Sequence, residues 1–308
     1  VFCLCPNKHS IYPGYLPRRF REKPGETRSD QWLAYMKRET SVPIVDVRAE
    51  LSRASATMDV YHPTDTHWSD PGCAVVQEAV LNRLNSLDAG IPVHHYLPGD
   101  FRMESQPGGD LARMLYLQDC FRAEIPVHTD PLNAGVSRTR MARNTVFARM
   151  EREFSNASPD SGLRCLIIGD SFADRVCHEF FRYFQHIMVV RLHDHQMRHL
   201  DPFAAYVDAF HPDIVIEFRV ARFLKSTVPE NPPERNVKGY PDWLKRFFEV
   251  TRPEPDRVFA PVAPVAPVAP VPVPGRRIEP AVPIPVPLME SGESAADPLV
   301  ENVPEKRQ

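Results

Sequence analysis

The 308-residue sequence lacks any apolar run that approaches the roughly 18 residues needed to cross a membrane. It also lacks a strong charge of either sign. The formal net charge is −3, so composition gives no electrostatic reason to expect nucleic acid or anionic lipid as a partner. A signal peptide is missing as well. Because the chain begins with Val1 in what reads as mid-strand, we expect a preceding segment, and the missing signal says nothing about location.

The cysteines lack the spacing of metal ligands, although there are six of them: Cys3, Cys5, Cys73, Cys120, Cys165 and Cys177. Cys3 and Cys5 fall on one face of a predicted strand. Free cysteine behaves as a small apolar residue and is often buried. The sequence therefore predicts buried free thiols.

A change in composition near residue 250 divides the chain. Residues 251–308 contain 14 prolines, including the repeat "PVAPVAPVAPVPVP" at 261–274. Such a repeat can form polyproline II but has no face to bury. We predict a folded domain over 1–250, whose 43% apolar content across the chain allows a sizeable core, and a disordered or semi-rigid tail over 251–308.

Strand and helix patterns alternate through residues 1–250. The predicted strands are 1–5, 43–49, 164–170, 186–192 and 213–220, and the predicted helices are 29–40, 70–87, 172–184 and 199–211. Continuous apolar strands are typical of a parallel sheet that is covered on both faces. The pattern predicts an α/β layered domain with a mostly parallel central sheet. The less regular region 88–162 is predicted as an insertion with a helix near 137–152.

The stretch "LIIGDSFADRV" (166–176) combines an apolar strand, a glycine turn and an amphipathic helix. This junction places Ser171 at the carboxyl edge of the sheet, where ligand sites of α/β proteins lie. It also places the Ser171 N–H at a helix N-terminus, where an oxyanion is stabilised. The alternative is that Asp170 or Ser171 only caps the helix.

The stretch "YHPTDTHWSD" (61–70) carries an aspartate and a histidine two residues apart, before a helix with Asp70 as predicted N-cap. Residues two apart point the same way in an extended chain. Asp65 can then hold the ring of His67 through Nδ1–H, leaving Nε2 free as a base. The alternative is a structural histidine packed on Trp68.

A third stretch, "PDIVIEFRVARFL" (212–224), ends an apolar strand with charged residues. Glu217 and Arg222 are predicted either to form an ion pair at the edge of the sheet or to take part in a site. The sequence leaves both possibilities open.

Six motifs occur in one order: "NKHSIYPGYLP" (7–17), "VDVRAEL" (45–51), "YHPTDTHWSDPG" (61–72), "GGDLARML" (108–115), "IIGDSF" (167–172) and "PDIVIEFRVARFL". Over roughly 1–225 the chain thus resembles the SGNH-hydrolase-like domain of the alginate O-acetyltransferase family, of the AlgX and AlgJ type. The resemblance implies a flavodoxin-like, SGNH-type fold and a triad of Asp65, His67 and Ser171. The Asp and His precede the Ser, as in that family.

The resemblance also implies a function: acetyl transfer through Ser171 to a polysaccharide acceptor, in the periplasm, with a membrane O-acyltransferase as partner and acetyl donor. A carbohydrate esterase using the same triad, and a non-catalytic polysaccharide-binding or assembly component, are the alternatives. The sequence departs from SGNH enzymes in one respect. After the strand 186–192 it has "HDHQMRH" without the usual glycine, so no second oxyanion donor is identified.

The histidine-rich run itself raises the question of a metal. His193 and His195 share a face in an extended chain, with Asp194 and His199 nearby. Zinc needs three or four converging ligands, which one run rarely supplies. We therefore predict no metal and no cofactor, and expect this run to line the mouth of the active site.

Removal of the tail is expected to leave the domain intact. Because the Pro-Val-Ala repeat cannot form a core, truncation after residue 250 should barely change thermal unfolding measured by calorimetry. A fall of more than about 5 °C in Tm, roughly a couple of kcal/mol for a domain this size, would mean that the tail docks on the domain.

Overall fold

The computed structural model describes residues 1–21, 25–143, 150–191 and 206–224. The predicted tail (251–308), the histidine-rich run (193–199), which is expected to line the mouth of the active site, and the boundary predicted at residue 250 lie outside these ranges. Within them, every helix is too short or too polar to cross a bilayer.

The centre of the fold is a seven-stranded sheet in the order β2-β1-β9-β7-β8-β6-β5. Its strands are β1 (Phe2–Cys5), β2 (Ile44–Asp46), β5 (Val136–Arg143), β6 (Met150–Asn156), β7 (Arg164–Gly169), β8 (His186–Arg191) and β9 (Ile214–Val220). The pairs from β2 to β8 are parallel, and β6 and β5 add antiparallel strands at one edge. The predicted α/β fold with a mostly parallel sheet is confirmed.

Both faces of the sheet are covered, as the apolar strands predict. Cys165 and Ile167 of β7 point into the main core, whereas Leu166 and Ile168 point into a second cluster on the opposite face. Five of the six cysteines are buried, in agreement with the prediction, but Cys120 is exposed.

In the described ranges the strands are connected or flanked by α1 (Lys8–Ile11), α2 (Arg18–Arg21), α3 (Arg28–Glu39), α4 (Arg48–Ala54), α5 (Asp70–Asn85), α6 (Asp110–Met114) and α7 (Ser171–Val176). Residues 206–210 are also helical. The helix predicted over 70–87 is found as α5, but it ends at Asn85 and the predicted N-cap Asp70 is wrong. Its N-cap is Ser69, whose hydroxyl accepts from the Gly72 N–H, and Asp70 is already helical.

The helix predicted near 137–152 is wrong. β5 and β6 occupy this segment and pair antiparallel from Val136 opposite Asn156 to Arg143 opposite Met150. β6 also pairs with β8, and Phe154 buries its ring beside Phe181. Helix propensity is a weak prior, and the open edge of the sheet overrides it here.

Two further predictions need correction. The helix predicted over 172–184 ends at Val176 and continues as a 3₁₀ turn, Cys177–Phe180. Only part of the region 88–162, which is predicted as an insertion, lies outside the main sheet. β3 (Phe101–Pro107) and β4 (Arg122–His128) form a separate two-stranded sheet, whereas β5 and β6 belong to the main sheet.

A substitution at Gly169 tests how closely the sheet packs against α7. A Cβ at this position would lie 2.4 Å from the Phe218 carbonyl oxygen and 2.7 Å from the Ala173 Cβ. Gly169→Ala should lower the free energy of unfolding in urea by about 1–3 kcal/mol, the usual cost of overpacking. Gly162→Ala is the control, because a Cβ there meets nothing within 4 Å. Equal stability of both variants would show that the junction has room to relax.

Candidate active site

The turn between β7 and α7 is held by Asp170. Its carboxylate accepts the Phe172 N–H and the Val220 N–H, both at 2.8 Å, so it caps α7 and also ties β7 to the end of β9. Burial raises the pKa of Asp170, although these two hydrogen bonds act against the shift. Asp170 is thus the capping residue that the sequence left undecided. Ser171 is freed from that role and stands as the first residue of α7.

The loop that carries Asp65 and His67 is held at both ends. Tyr61 and Trp68 form an isolated antiparallel bridge that closes it. The Lys8 ammonium donates to the carbonyl oxygens of His62 and Pro63 at 2.5 and 2.8 Å, and to that of Asp65 at 3.2 Å. A buried loop needs partners for its backbone carbonyls, and one lysine provides them for three.

The structure brings the three predicted site residues into one hydrogen-bonded chain. Asp65 Oδ1 lies 2.6 Å from His67 Nδ1, and His67 Nε2 lies 2.7 Å from Ser171 Oγ. The histidine and the serine are 104 positions apart in the sequence. The arrangement has the geometry in which an imidazole accepts a proton from a hydroxyl while a carboxylate fixes its tautomer.

Three hydrogen bonds keep the Asp65 carboxylate charged. Oδ1 accepts the His67 N–H as well as the ring Nδ1–H, and Oδ2 accepts the Asp110 N–H at 3.1 Å. Burial by itself would raise the pKa of Asp65, but these bonds outweigh it and hold the pKa well below its usual range. Asp65 is therefore ionised at neutral pH and can stabilise an imidazolium.

Asp110 is a residue that the sequence reasoning missed. Its carboxylate accepts the Thr66 N–H at 2.6 Å and the Thr66 hydroxyl, and it lies 3.5 Å from His67 Nδ1. Asp110 thus positions the residue between Asp65 and His67. The motif "GGDLARML" contains it, but nothing in that motif by itself indicates contact with a loop 45 residues upstream.

Trp68 packs beneath the site. It is 1% exposed and meets the Phe172 ring edge-on at 4.8 Å, and Phe172 in turn lies 4.9 Å from the His67 ring. Trp68 is therefore a core residue that supports Phe172, and Phe172 contacts the ring of His67.

The two charged residues of the third stretch do not pair with each other. Glu217 accepts from Arg219 at 2.6 Å, and the Arg222 guanidinium lies over the Phe172 ring at 5.2 Å. The predicted ion pair between Glu217 and Arg222 is wrong. Residues two apart in a strand share a face, which favours Arg219 as the partner.

Another serine and histidine also meet, away from this site. Ser155 Oγ lies 3.1 Å from His186 Nδ1 across the paired strands β6 and β8. Neither residue lines the cleft described below. This pair is a cross-strand contact.

One group of side chains among the described residues has potential ligand atoms close enough together to hold a metal ion. The ligand atoms of Asp65, His67 and Asp110 lie within 4.8 Å of one another. The same atoms already form hydrogen bonds with each other and with Thr66. The donor set is therefore fully used as a positioning network.

A cleft of about 700 Å³ opens above the chain of hydrogen bonds. His67 and Ser171 line it, together with residues of β3, of β4 and the loop after it, and of the segment that follows Ser171. The volume is in the range of sites that hold small molecules or a few sugar rings. The reacting atoms thus face a space that can hold a substrate.

Comparison with solved structures shows the same fold elsewhere. A DHHW family protein from Eubacterium siraeum superimposes with a TM-score of 0.52 at 15% identity, over 75% of this chain and 79% of that one. The O-acetyltransferase domain of Pseudomonas putida AlgJ gives 0.47 at 16% identity, over 81% and 82%. Bacillus cereus PatB1 with a sulfonyl adduct gives 0.48 at 14%, over 73% and 82%. None of the curated proteins matches this sequence.

A family match covers more of the chain than any one motif. Residues 1–197, which contain Asp65, His67 and Ser171, match the family described as the SGNH hydrolase-like domain of the acetyltransferase AlgX. The match extends over 197 of the 308 residues. The chain therefore belongs to the family of SGNH hydrolase-like, AlgX-type acetyltransferase domains.

Proposed function

We propose that this protein is an O-acetyltransferase that moves an acetyl group through an ester of Ser171 onto a hydroxyl of a polysaccharide. One observation carries the proposal: Ser171 Oγ, His67 Nε2, His67 Nδ1 and Asp65 form a continuous hydrogen-bonded chain that faces a cleft. Membership of an acetyltransferase family supports the reaction type.

The first half-reaction forms the acetyl-enzyme. His67 Nε2 takes the hydroxyl proton as Ser171 Oγ attacks the carbonyl carbon of the acetyl donor. Asp65 holds the resulting imidazolium by charge and by the bond to Nδ1. The Ser171 N–H belongs to the first turn of α7, whose N–H groups have no acceptor within the helix, and it serves as one donor to the oxyanion. Collapse of the intermediate expels the donor's leaving group, which takes the proton from His67.

The second half-reaction transfers the acetyl group to the sugar. His67 Nε2 accepts the proton of the acceptor hydroxyl, whose oxygen attacks the ester carbonyl; the bond to Ser171 Oγ then breaks, and Oγ takes the proton back from His67. The acceptor must compete with water, and it can do so when the cleft holds it in place, because effective molarities of oriented groups reach roughly 10⁵ M. Trp68 is buried and cannot offer a stacking face, so other residues must bind the sugar.

We also propose a setting for this reaction from the family. The acceptor is an extracytoplasmic polysaccharide, the acetyl group comes from a membrane O-acyltransferase that acts as partner, and the protein works in the periplasm. Fractionation of cells and cross-linking to membrane proteins test this part independently of the chemistry.

Ser171→Ala is expected to remove both half-reactions. Loss of a triad nucleophile lowers turnover on the order of 10⁶-fold. The purified wild-type protein should react with a fluorophosphonate probe and form an acetyl-enzyme from a small acetyl ester, whereas Ser171→Ala should do neither. The wild-type protein should then acetylate an added glucan, hexosamine or uronate oligomer, which mass spectrometry detects as a gain of one acetyl group.

Ser155→Ala is the matched control, because Ser155 also contacts a histidine but lies outside the cleft. Labelling that persists in Ser171→Ala would exclude Ser171 as the nucleophile. Fast ester hydrolysis with no acetylated oligomer would identify an esterase with the same triad. Folded protein that never labels would indicate a binding component.

Gly109→Ala is expected to disable the site through Asp65. A Cβ on Gly109 would lie 2.5 Å from the Asp65 Cβ and 2.7 Å from its Oδ2, so the carboxylate must move. A misplacement near 1 Å costs about 100-fold in rate, and acetyl-enzyme formation should fall by that factor. Gly99→Ala has open space and serves as control. Full activity of folded Gly109→Ala would show that the position of Asp65 is not critical.

A further inference from the structure

A second histidine–carboxylate pair lies in the wall of the same cleft. His128 Nε2 is 2.7 Å from Glu179 Oε1, and their side chains are 8% and 2% exposed. Both residues line the cleft together with His67 and Ser171. The reaction described above makes no use of this pair.

The pair is built on the two segments that carry the triad. Glu179 lies in the 3₁₀ turn that continues from α7, eight residues after Ser171. The His128 N–H donates at 2.9 Å to Asp70, which lies three residues after His67. The last residue of β4 is thereby fixed relative to both halves of the triad.

The ring of His128 has one orientation. Tyr96 and Phe101 lie 4.9 and 4.8 Å from it, centroid to centroid, and Glu179 fixes Nε2. Nδ1 has no hydrogen-bond partner among the residues that the structure describes, and it is not among their fully buried unpartnered atoms. One ring nitrogen is thus held by the protein, and the other remains open toward the cleft.

A contribution to folding stability does not by itself explain why His128 and Glu179 are paired in the wall of the cleft. Burying a carboxylate and an imidazole costs solvation free energy, and apolar residues of similar size often serve a core equally well. Burial lowers the pKa of His128, but the hydrogen bond and charge of Glu179, with the charges of Asp70 and Asp100, outweigh burial and raise it. The wall of the cleft therefore carries a polar ring nitrogen where an apolar group would have been sufficient for packing.

The chemistry of Nδ1 indicates which ligand group it suits. When Nε2–H binds Glu179 in the neutral ring, Nδ1 accepts a hydrogen bond, and when the ring is protonated, Nδ1–H donates one. A hydroxyl can answer both states, because it is donor and acceptor. A carboxylate ligand would suit only the protonated ring.

We propose that His128 is a binding residue for the acceptor, and that its Nδ1 hydrogen-bonds a hydroxyl of the saccharide while His67 and Ser171 act on another. The inference rests on the proposed function for the nature of the ligand. It assigns the wall formed by β4 and the turn after α7 as the acceptor side of the cleft.

Binding without turnover tests the proposal. Ser171→Ala protein with ¹⁵N-labelled histidine is titrated with hexamers of a neutral glucan, of a hexosamine and of a uronate. The Nδ1 resonance of His128 should shift with at least one of them. The double variant Ser171→Ala/His128→Gln lacks the His128 resonance and so assigns it, while the amide nitrogen of glutamine can still reach Glu179. This variant should bind the oligomer with a Kd about five- to tenfold higher, the effect of one hydrogen bond.

The control is His95→Gln. His95 forms a similar pair with Glu78 at 3.1 Å, but the pair is exposed and outside the cleft. Its substitution should leave the Kd unchanged. If an oligomer binds and the His128 resonance does not shift, the proposal is overturned, whether or not His128→Gln folds. The proposal is also overturned if none of the three oligomers binds. Binding that depends on His128 in a protein that never acetylates sugar would preserve this site and refute the transferase.

Discussion

The hydrogen bond between His67 and Ser171 is the contact on which the site depends, and it joins two segments that are 104 positions apart. Lys8 and Asp110 both hold the loop before α5, and Asp170 ties the turn before α7 to β9. Each restraint comes from a different element, so the alignment of His67 with Ser171 is a property of the assembled sheet and its flanking loops.

Two carboxylates at this edge of the sheet show how environment separates roles. Asp170 and Asp65 are both buried, yet their pKa values move in opposite directions. Asp170 accepts two backbone N–H groups, and burial outweighs them. Asp65 accepts three donors including the imidazole, and these outweigh burial. One residue is therefore suited to a structural cap and the other to a permanent negative charge behind the base.

Two of the imidazoles that line the cleft, those of His67 and His128, differ in what holds them in place. The ring of His67 uses both nitrogens inside the triad, whereas that of His128 uses one and keeps the other open. Asp70 follows His67 by three residues, and Glu179 follows Ser171 by eight, so the segments that carry His67 and Ser171 also hold His128.

Local patterns were sufficient for the parallel strands and for the local placement of Asp65, His67 and Ser171, whereas their grouping as a triad was implied by the family resemblance. The apolar run of β7 followed by Gly169 predicts Ser171 at the edge of the sheet, and alternation within the chain predicts that Asp65 and His67 share a side. These features depend only on residues that are close in the sequence, so they can be predicted without the tertiary structure. The helix predicted near 137–152 failed because an open strand edge, absent from any local pattern, decided its structure.

What the sequence determined by itself is therefore the order of the parallel strands and the local placement of Asp65, His67 and Ser171. Only the tertiary structure decided that these three side chains meet, and which groups support them. Asp110 reaches the loop of Asp65 and His67 across 45 residues, Arg219 rather than Arg222 pairs with Glu217, and Trp68 lies in the core. The physical reason is that hydrogen-bond partners and burial are set by distance in space, and sequence spacing predicts that distance only within a single helix, strand or turn.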